Sequence, residues 1–210
     1  MKTRAELKSM AKGQIRGNIG ILFVISLIVS VISGLASLVL NFIPGGGLLV
    51  SIIITPAFTI SVLRVYLNLA KGQKPAAADA FSGFNDFWSA FKVNFLVGIF
   101  TFLWSLLLIV PGIIKAISYS QATLIVAENP GISAREAINR SKAMMDGHKT
   151  DYFVLGLSFI GWCLLGAITF GIAYIWIIPY MQATLINFYN DLKPVEVSEP
   201  VIEAPTEPAE

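Results

Sequence analysis

The chain has 210 residues, of which 55% are hydrophobic and 13% charged, and its mean hydropathy is +0.72. Soluble domains carry roughly 25% charged residues, so a water-soluble globule is excluded and an all-α membrane protein is expected. The net charge of +2 hides an asymmetry. Lys2, Arg4, Lys8, Lys12 and Arg16 stand against Glu6 near the start, while Asp191, Glu196, Glu199, Glu203, Glu207 and Glu210 stand against Lys193 at the end.

The first apolar run, Ile19–Leu40, follows the basic stretch. Its 22 residues exceed the 7–15 of a signal-peptide core, and further runs follow, so it reads as a transmembrane helix. Crossing ~30 Å of hydrocarbon takes roughly 20 apolar residues. On that measure the remaining spans are Gly47–Leu69, Val93–Val110, Gly112–Ala127, Tyr152–Ile168 and Gly171–Asn190. Arg64 lies close enough to the end of its span to snorkel. Pro111-Gly112 separates the third span from the short fourth, which carries Lys115 near its start. Cys163 is the one cysteine, so no internal disulfide forms.

The connections alternate between short Pro/Gly turns, such as Pro44–Gly47, and polar loops of over twenty residues. Fourteen of the 15 Lys and Arg residues fall in the N-terminal segment, the two long loops and the tail; Lys115 is the exception. The positive-inside rule then places both termini and both loops in the cytoplasm. The expected architecture is a polytopic helical bundle over residues 1–192, multi-pass with both ends on the cytoplasmic side. The Pro/Glu-rich tail 193–210 is expected to be disordered.

An internal repeat runs through this pattern. Tyr119–Ile125 reads YSQATLI and Tyr180–Ile186 reads YMQATLI, and Phe95–Leu107 aligns with Phe153–Leu165 on Phe, Gly, Trp and a Leu pair. Pro56–Leu69 matches Pro179–Leu192 more weakly. Thr3–Glu6 and Ser133–Glu136 are capping boxes, and Ala76–Asp79 holds the same place without the hydroxyl. The unit is thus a short cytoplasmic amphipathic helix followed by an outward hairpin, three times in parallel. Leu7, Met10 and Ala11 recur at helical spacing among cations, as do Ala137 and Ile138 beside Arg135, Arg140 and Lys142. The middle segment is aromatic, with Phe81, Phe84, Phe87, Trp88 and Phe91. Such helices either lie in the bilayer interface against anionic lipid or pack on the end of the bundle.

Little catalytic chemistry is available. His148 is the sole histidine, and it falls in a polar loop. No metal-ligand cluster, nucleophile motif or phosphate-binding loop occurs, so no catalytic residue, cofactor or nucleic-acid partner is expected. No acid lies within a span, and Lys115 is the only charged candidate at depth. The paired Tyr119, Gln121, Thr123 and Tyr180, Gln182, Thr184 read as hydrogen-bonding glue between helices, with a polar substrate path as the alternative.

The stretch PGIIKAISYS from Pro111, the segment AENPGISAREAINRSKAMMDGHK ending at Lys149, and FVLGLSFIGW from Phe153 resemble a bacterial family of integral membrane proteins, domain-of-unknown-function family 975. Phe81–Phe84 and the closing Ile178–Thr184 extend the likeness over most of residues 3–192. The resemblance implies a distant similarity to the membrane domain attached to some glycerophosphodiester phosphodiesterases. The hydrolase domain is absent, so it implies no activity and no site residues. The expected function is a non-enzymatic scaffold or accessory membrane component, partnered by lipid or by another protein; the alternative is a small transporter or channel.

Overall fold

The computed structural model describes residues 1–40, 42 and 54–193. The Pro44–Gly47 turn, the first residues of the 47–69 span and the acidic tail from Pro194 lie outside the described residues. Among the described residues the regular structure is helical throughout. In chain order it comprises α1 (Arg4–Ile15), α2 (Ile19–Leu40), α3 (Thr55–Ala70), a 3₁₀ segment (Ala77–Asp86), α4 (Phe87–Leu107) and α5 (Ile109–Tyr119). It continues with α6 (Ala122–Glu128), α7 (Ala134–Met144), α8 (Lys149–Leu157), α9 (Ile160–Ile168) and α10 (Tyr174–Leu192). Four stretches are long and apolar enough to cross a membrane: Ile19–Leu40, Ala77–Leu106, Val110–Glu128 and Lys149–Ile168.

The short helices begin where side chains can satisfy free N–H groups. The Thr3 hydroxyl accepts from the Glu6 N–H at 3.3 Å, and the Glu6 carboxylate accepts from the Thr3 N–H at 2.6 Å. The Ser133 hydroxyl accepts from the Glu136 N–H at 3.2 Å. At the third site Ala76 has no hydroxyl, and only its N–H donates to Asp79, at 2.8 Å. Helices α1 and α7 both give way to a glycine in the left-handed region, Gly17 (φ 84°) and Gly147 (φ 77°), a conformation open to glycine at little cost. The next helices start at Ile19 and Lys149, so the two helix–turn–helix stretches run in step, 130 residues apart.

The middle segment is expected as an amphipathic α-helix and is instead a 3₁₀ helix. Ser82, Gly83, Asn85 and Asp86 all have weak helix propensity, and Gly83 is pressed against α3. A Cβ on Gly83 would strike the Ala57 carbonyl oxygen and sit 2.7 Å from the Ser61 nitrogen. The Gly83 N–H donates to the Ser61 hydroxyl at 2.8 Å.

Burial concentrates where these segments sit. Leu7, Ala11 and Ile15 of α1, Ala80 of the 3₁₀ segment and Ala137, Ile138 and Ser141 of α7 are all buried. Helix α1 packs on α10, the 3₁₀ segment on α3, and α7 on α6. Elsewhere the apolar surface is bare. Only 11% of the apolar stretch is buried in Ile19–Leu40 and in Ala77–Leu106, and 17% in Lys149–Ile168, against 50% in Val110–Glu128. Leu35 and Leu38 of α2, Phe102 and Leu106 of α4, and Leu164 and Ile168 of α9 are exposed. A face of this extent has no place in water, whereas facing hydrocarbon it costs nothing.

Two boundaries differ from expectation. The break between the third and fourth spans falls at Leu108 (φ −162°, ψ 144°), not at Pro111-Gly112. Pro111 instead occupies the first turn of α5, where its missing N–H would have no partner anyway. Farther on, the expected span Gly112–Ala127 is interrupted at Ser120–Gln121, between α5 and α6.

Candidate functional site

The interruption at Ser120–Gln121 has a local cause. The Ser141 hydroxyl of α7 donates to the Ser118 carbonyl at 2.8 Å and accepts from the Gln121 N–H at 3.2 Å. It thereby occupies two groups that the helix ladder would otherwise use. Gln121 is buried, its amide nitrogen donating to the Ser120 hydroxyl at 2.8 Å. Its Oε1 has no hydrogen-bond partner among the described residues. Tyr119 is buried against Phe100, with ring centroids 6.2 Å apart. Thr123 is half-buried on α6.

Tyr180, Gln182 and Thr184 sit on α10, which runs unbroken through Pro179. Tyr180 is buried between Phe159 and Trp162, at 5.5 and 5.8 Å. The Thr184 hydroxyl back-bonds to the Tyr180 carbonyl at 2.7 Å. Gln182 lines a crevice of about 210 Å³ between α2, α3 and α10, with Ser33, Thr55 and Thr59 as its other polar neighbours. Neither Tyr119 nor Gln121 belongs to that crevice, so the two triads occupy separate places. Lys115 lies with its ammonium 4.6 Å from the Trp104 ring centre, a cation–π contact.

The polar joints between elements use residues whose joining role sequence inspection does not show. Arg64 donates from Nε to the Ala127 carbonyl at 2.9 Å and from Nη1 to the Ser82 carbonyl at 2.7 Å, and it pairs with Asp86. One guanidinium thus ties α3 to the 3₁₀ segment and to α6. Asn187 does the same for α10 and α1: it exchanges amide hydrogen bonds with Gln14 at 2.9 and 3.0 Å and donates to the Leu7 carbonyl at 3.3 Å. Arg64 and Asn187 hold equivalent positions when Pro56–Leu69 is set on Pro179–Leu192, which is the signal that could have found them.

A third joint collects the ends of α3, α6 and α10. Glu128 accepts from the Tyr189 hydroxyl at 2.8 Å and from Lys193 at 2.5 Å, and Lys71 stands at 3.6 Å. With Arg140 these groups line an open cleft of about 800 Å³. His148 precedes α8 with its Nδ1 3.6 Å from Asp151. No group of His, Cys, Asp and Glu able to hold a metal occurs among the described residues.

Residues 1–118 and 106–196 match the model of a family described as a protein of unknown function (DUF975). The chain belongs to that family. Neither a curated protein nor a solved structure matches it.

Proposed function

We propose that this member of the DUF975 family is a non-enzymatic membrane scaffold built from three parallel outward hairpins. The four membrane-length stretches supply most of the crossings, and α3 and α10 complete six spans. At 19 residues α10 is about 28 Å long, close to the thickness of hydrocarbon. The observation that carries the reading is the packing at one end. Each interfacial segment seats on the return helix of another hairpin, and α1 on α10 closes the ring. The step of 130 residues between α1–α2 and α7–α8, the equivalent joints at Arg64 and Asn187, and the shared caps all support a repeated unit. The basic segments place this end, and both termini, on the cytoplasmic side of a bacterial membrane, where they meet anionic lipid.

A transporter is the second reading, and the crevice lined by Gln182 is what favours it. Separation of the two polar triads supports the scaffold instead, because a shared path would bring them together. Two measurements test the proposal. With Cys163 replaced by Ser, a cysteine at Phe170, which is 98% exposed in the α9–α10 turn, is expected to react with an impermeant maleimide added to intact cells. Labelling only after lysis would overturn the orientation. Purified protein in liposomes is expected to leave passive solute leak unchanged; saturable flux lost in Gln182→Leu would replace the scaffold with a transporter.

A further inference from the structure

Lys8 and Lys12 stand one turn apart on α1 and therefore share a face. Both ammonium groups contact rings of the third hairpin, Lys8 half-buried and Lys12 exposed. The Lys8 ammonium sits 4.3 Å from the Phe159 ring centre and donates to the Ser158 carbonyl at 3.2 Å. The Lys12 ammonium sits 5.6 Å from the Tyr180 ring centre. The two rings touch each other, and Trp162, 40% exposed, packs on the outer edge of Tyr180. Neither ammonium has a carboxylate within ion-pair distance among the described residues. Burial, with Arg4 and Lys12 nearby, pulls the Lys8 ammonium below its ordinary range. Two like charges are thus held close with nothing opposite them. One turn along α9 on the side of Trp162, Leu165 is exposed as well.

We propose that this lysine pair binds an anionic phospholipid, its phosphate between Lys8 and Lys12 and an acyl chain past Trp162 and Leu165. The lipid is preferred over free phosphate because Trp162 and Leu165 lie exposed on the ring side that the charged pair faces. Aromatic rings there suit a headgroup boundary. The arrangement recurs in reduced form: Lys142 of α7 sits 5.6 Å from the Tyr119 ring centre, and Lys142 and Tyr119 answer to Lys12 and Tyr180 in the repeat. Ile138 replaces Lys8 there, so the second site carries one cation and the weaker selection. The proposal rests on the membrane orientation given above.

The test uses the full chain in mixed phosphatidylglycerol–phosphatidylcholine vesicles, with Trp88, Trp104 and Trp176 changed to Phe so that Trp162 reports alone. Brominated phosphatidylglycerol is expected to quench Trp162 in preference to brominated phosphatidylcholine. Lys8→Gln and Lys12→Gln each weaken that preference, on the order of five-fold per lysine. Lys12→Arg keeps it, and Lys92→Gln, at an exposed lysine on α4, leaves it unchanged. The single Lys12→Gln variant carries the test if the double variant does not fold. Equal quenching by both lipids, or a preference that survives loss of both lysines, overturns the site. Abolition by soluble inorganic phosphate overturns the choice of a lipid. Labelling of Phe170→Cys from outside intact cells, together with absent lipid preference, sinks this inference alone; inside-only labelling sinks the orientation beneath it.

Discussion

Of the helical elements, those of the belt (α1, the 3₁₀ segment and α7) are the least apolar, yet each holds fully buried residues, Ala11, Ala80 and Ala137 among them. The arms α2, α4 and α9 are the most apolar, and they are nearly bare. In water the arrangement would be the reverse, since burial follows hydrophobicity. The difference shows which solvent each region answers to. In lipid a leucine gains little by leaving hydrocarbon for a protein interior, so the arms need no core. The belt carries cations and caps that must stay near water, so its few apolar residues have to be buried against the exit helices. Protein–protein packing is spent where the solvent changes.

Substitutions that break this contrast should differ sharply in cost. Arg64→Met strands the half-buried Asp86 carboxylate and frees two carbonyls, and a loss on the order of 3–5 kcal/mol is expected in detergent melts. Arg64→Lys should recover little of it, because an ammonium cannot reach three acceptors in a fork. Leu7→Ala, in the belt, should cost about 3 kcal/mol. Leu35→Ala, on the bare face of α2, should change stability by less than about 0.5 kcal/mol. Comparable losses at positions 7 and 35 would mean that the arms are packed in the membrane, erasing the distinction. Thr3→Ala should cost about 1 kcal/mol, with hydrogen exchange rising in the first turn of α1.

The gentlest test is pH. The Thr3 N–H and hydroxyl hold the Glu6 carboxyl below its ordinary value of 4.5. Its contribution is therefore complete above that value and lost as pH falls through the lower folded value. Exchange of the α1 amides should quicken over that acidic interval in the parent and not in Glu6→Gln.

How much of this could be read beforehand depended on how local the cause was. The caps at Thr3 and Ser133 were legible because the bonding partners are three residues apart. So was membrane residence, which needs only composition and run length. The break inside YSQATLI was not. Its near-twin YMQATLI runs through α10 as continuous helix, although the two heptapeptides differ only at the second residue. The cause lies in the partner helix: Ser141 offers α5–α6 a hydroxyl, while Ala11, its counterpart on α1, offers α10 none. Ser141→Ala should close the break, seen as added exchange protection at the Gln121 amide. The 3₁₀ segment escaped for a similar reason, since Gly83 is fixed by the backbone of α3. Arg64 read as a snorkelling cation because its acceptors come from two other elements.

The contact of α1 with α10 also sets an order of events. Lys2 reaches Asp191, its backbone N–H donating to that carboxylate at 2.6 Å, so a helix made early is finished by one made much later. At 5–20 residues per second, translation leaves α1 without its partner for about 10–35 s. Through that interval Leu7 and Ile15, and the lysines later stacked on Phe159 and Tyr180, have only the membrane surface to rest on. The ring is closed late, by an element that has waited on lipid while the hairpins between were made.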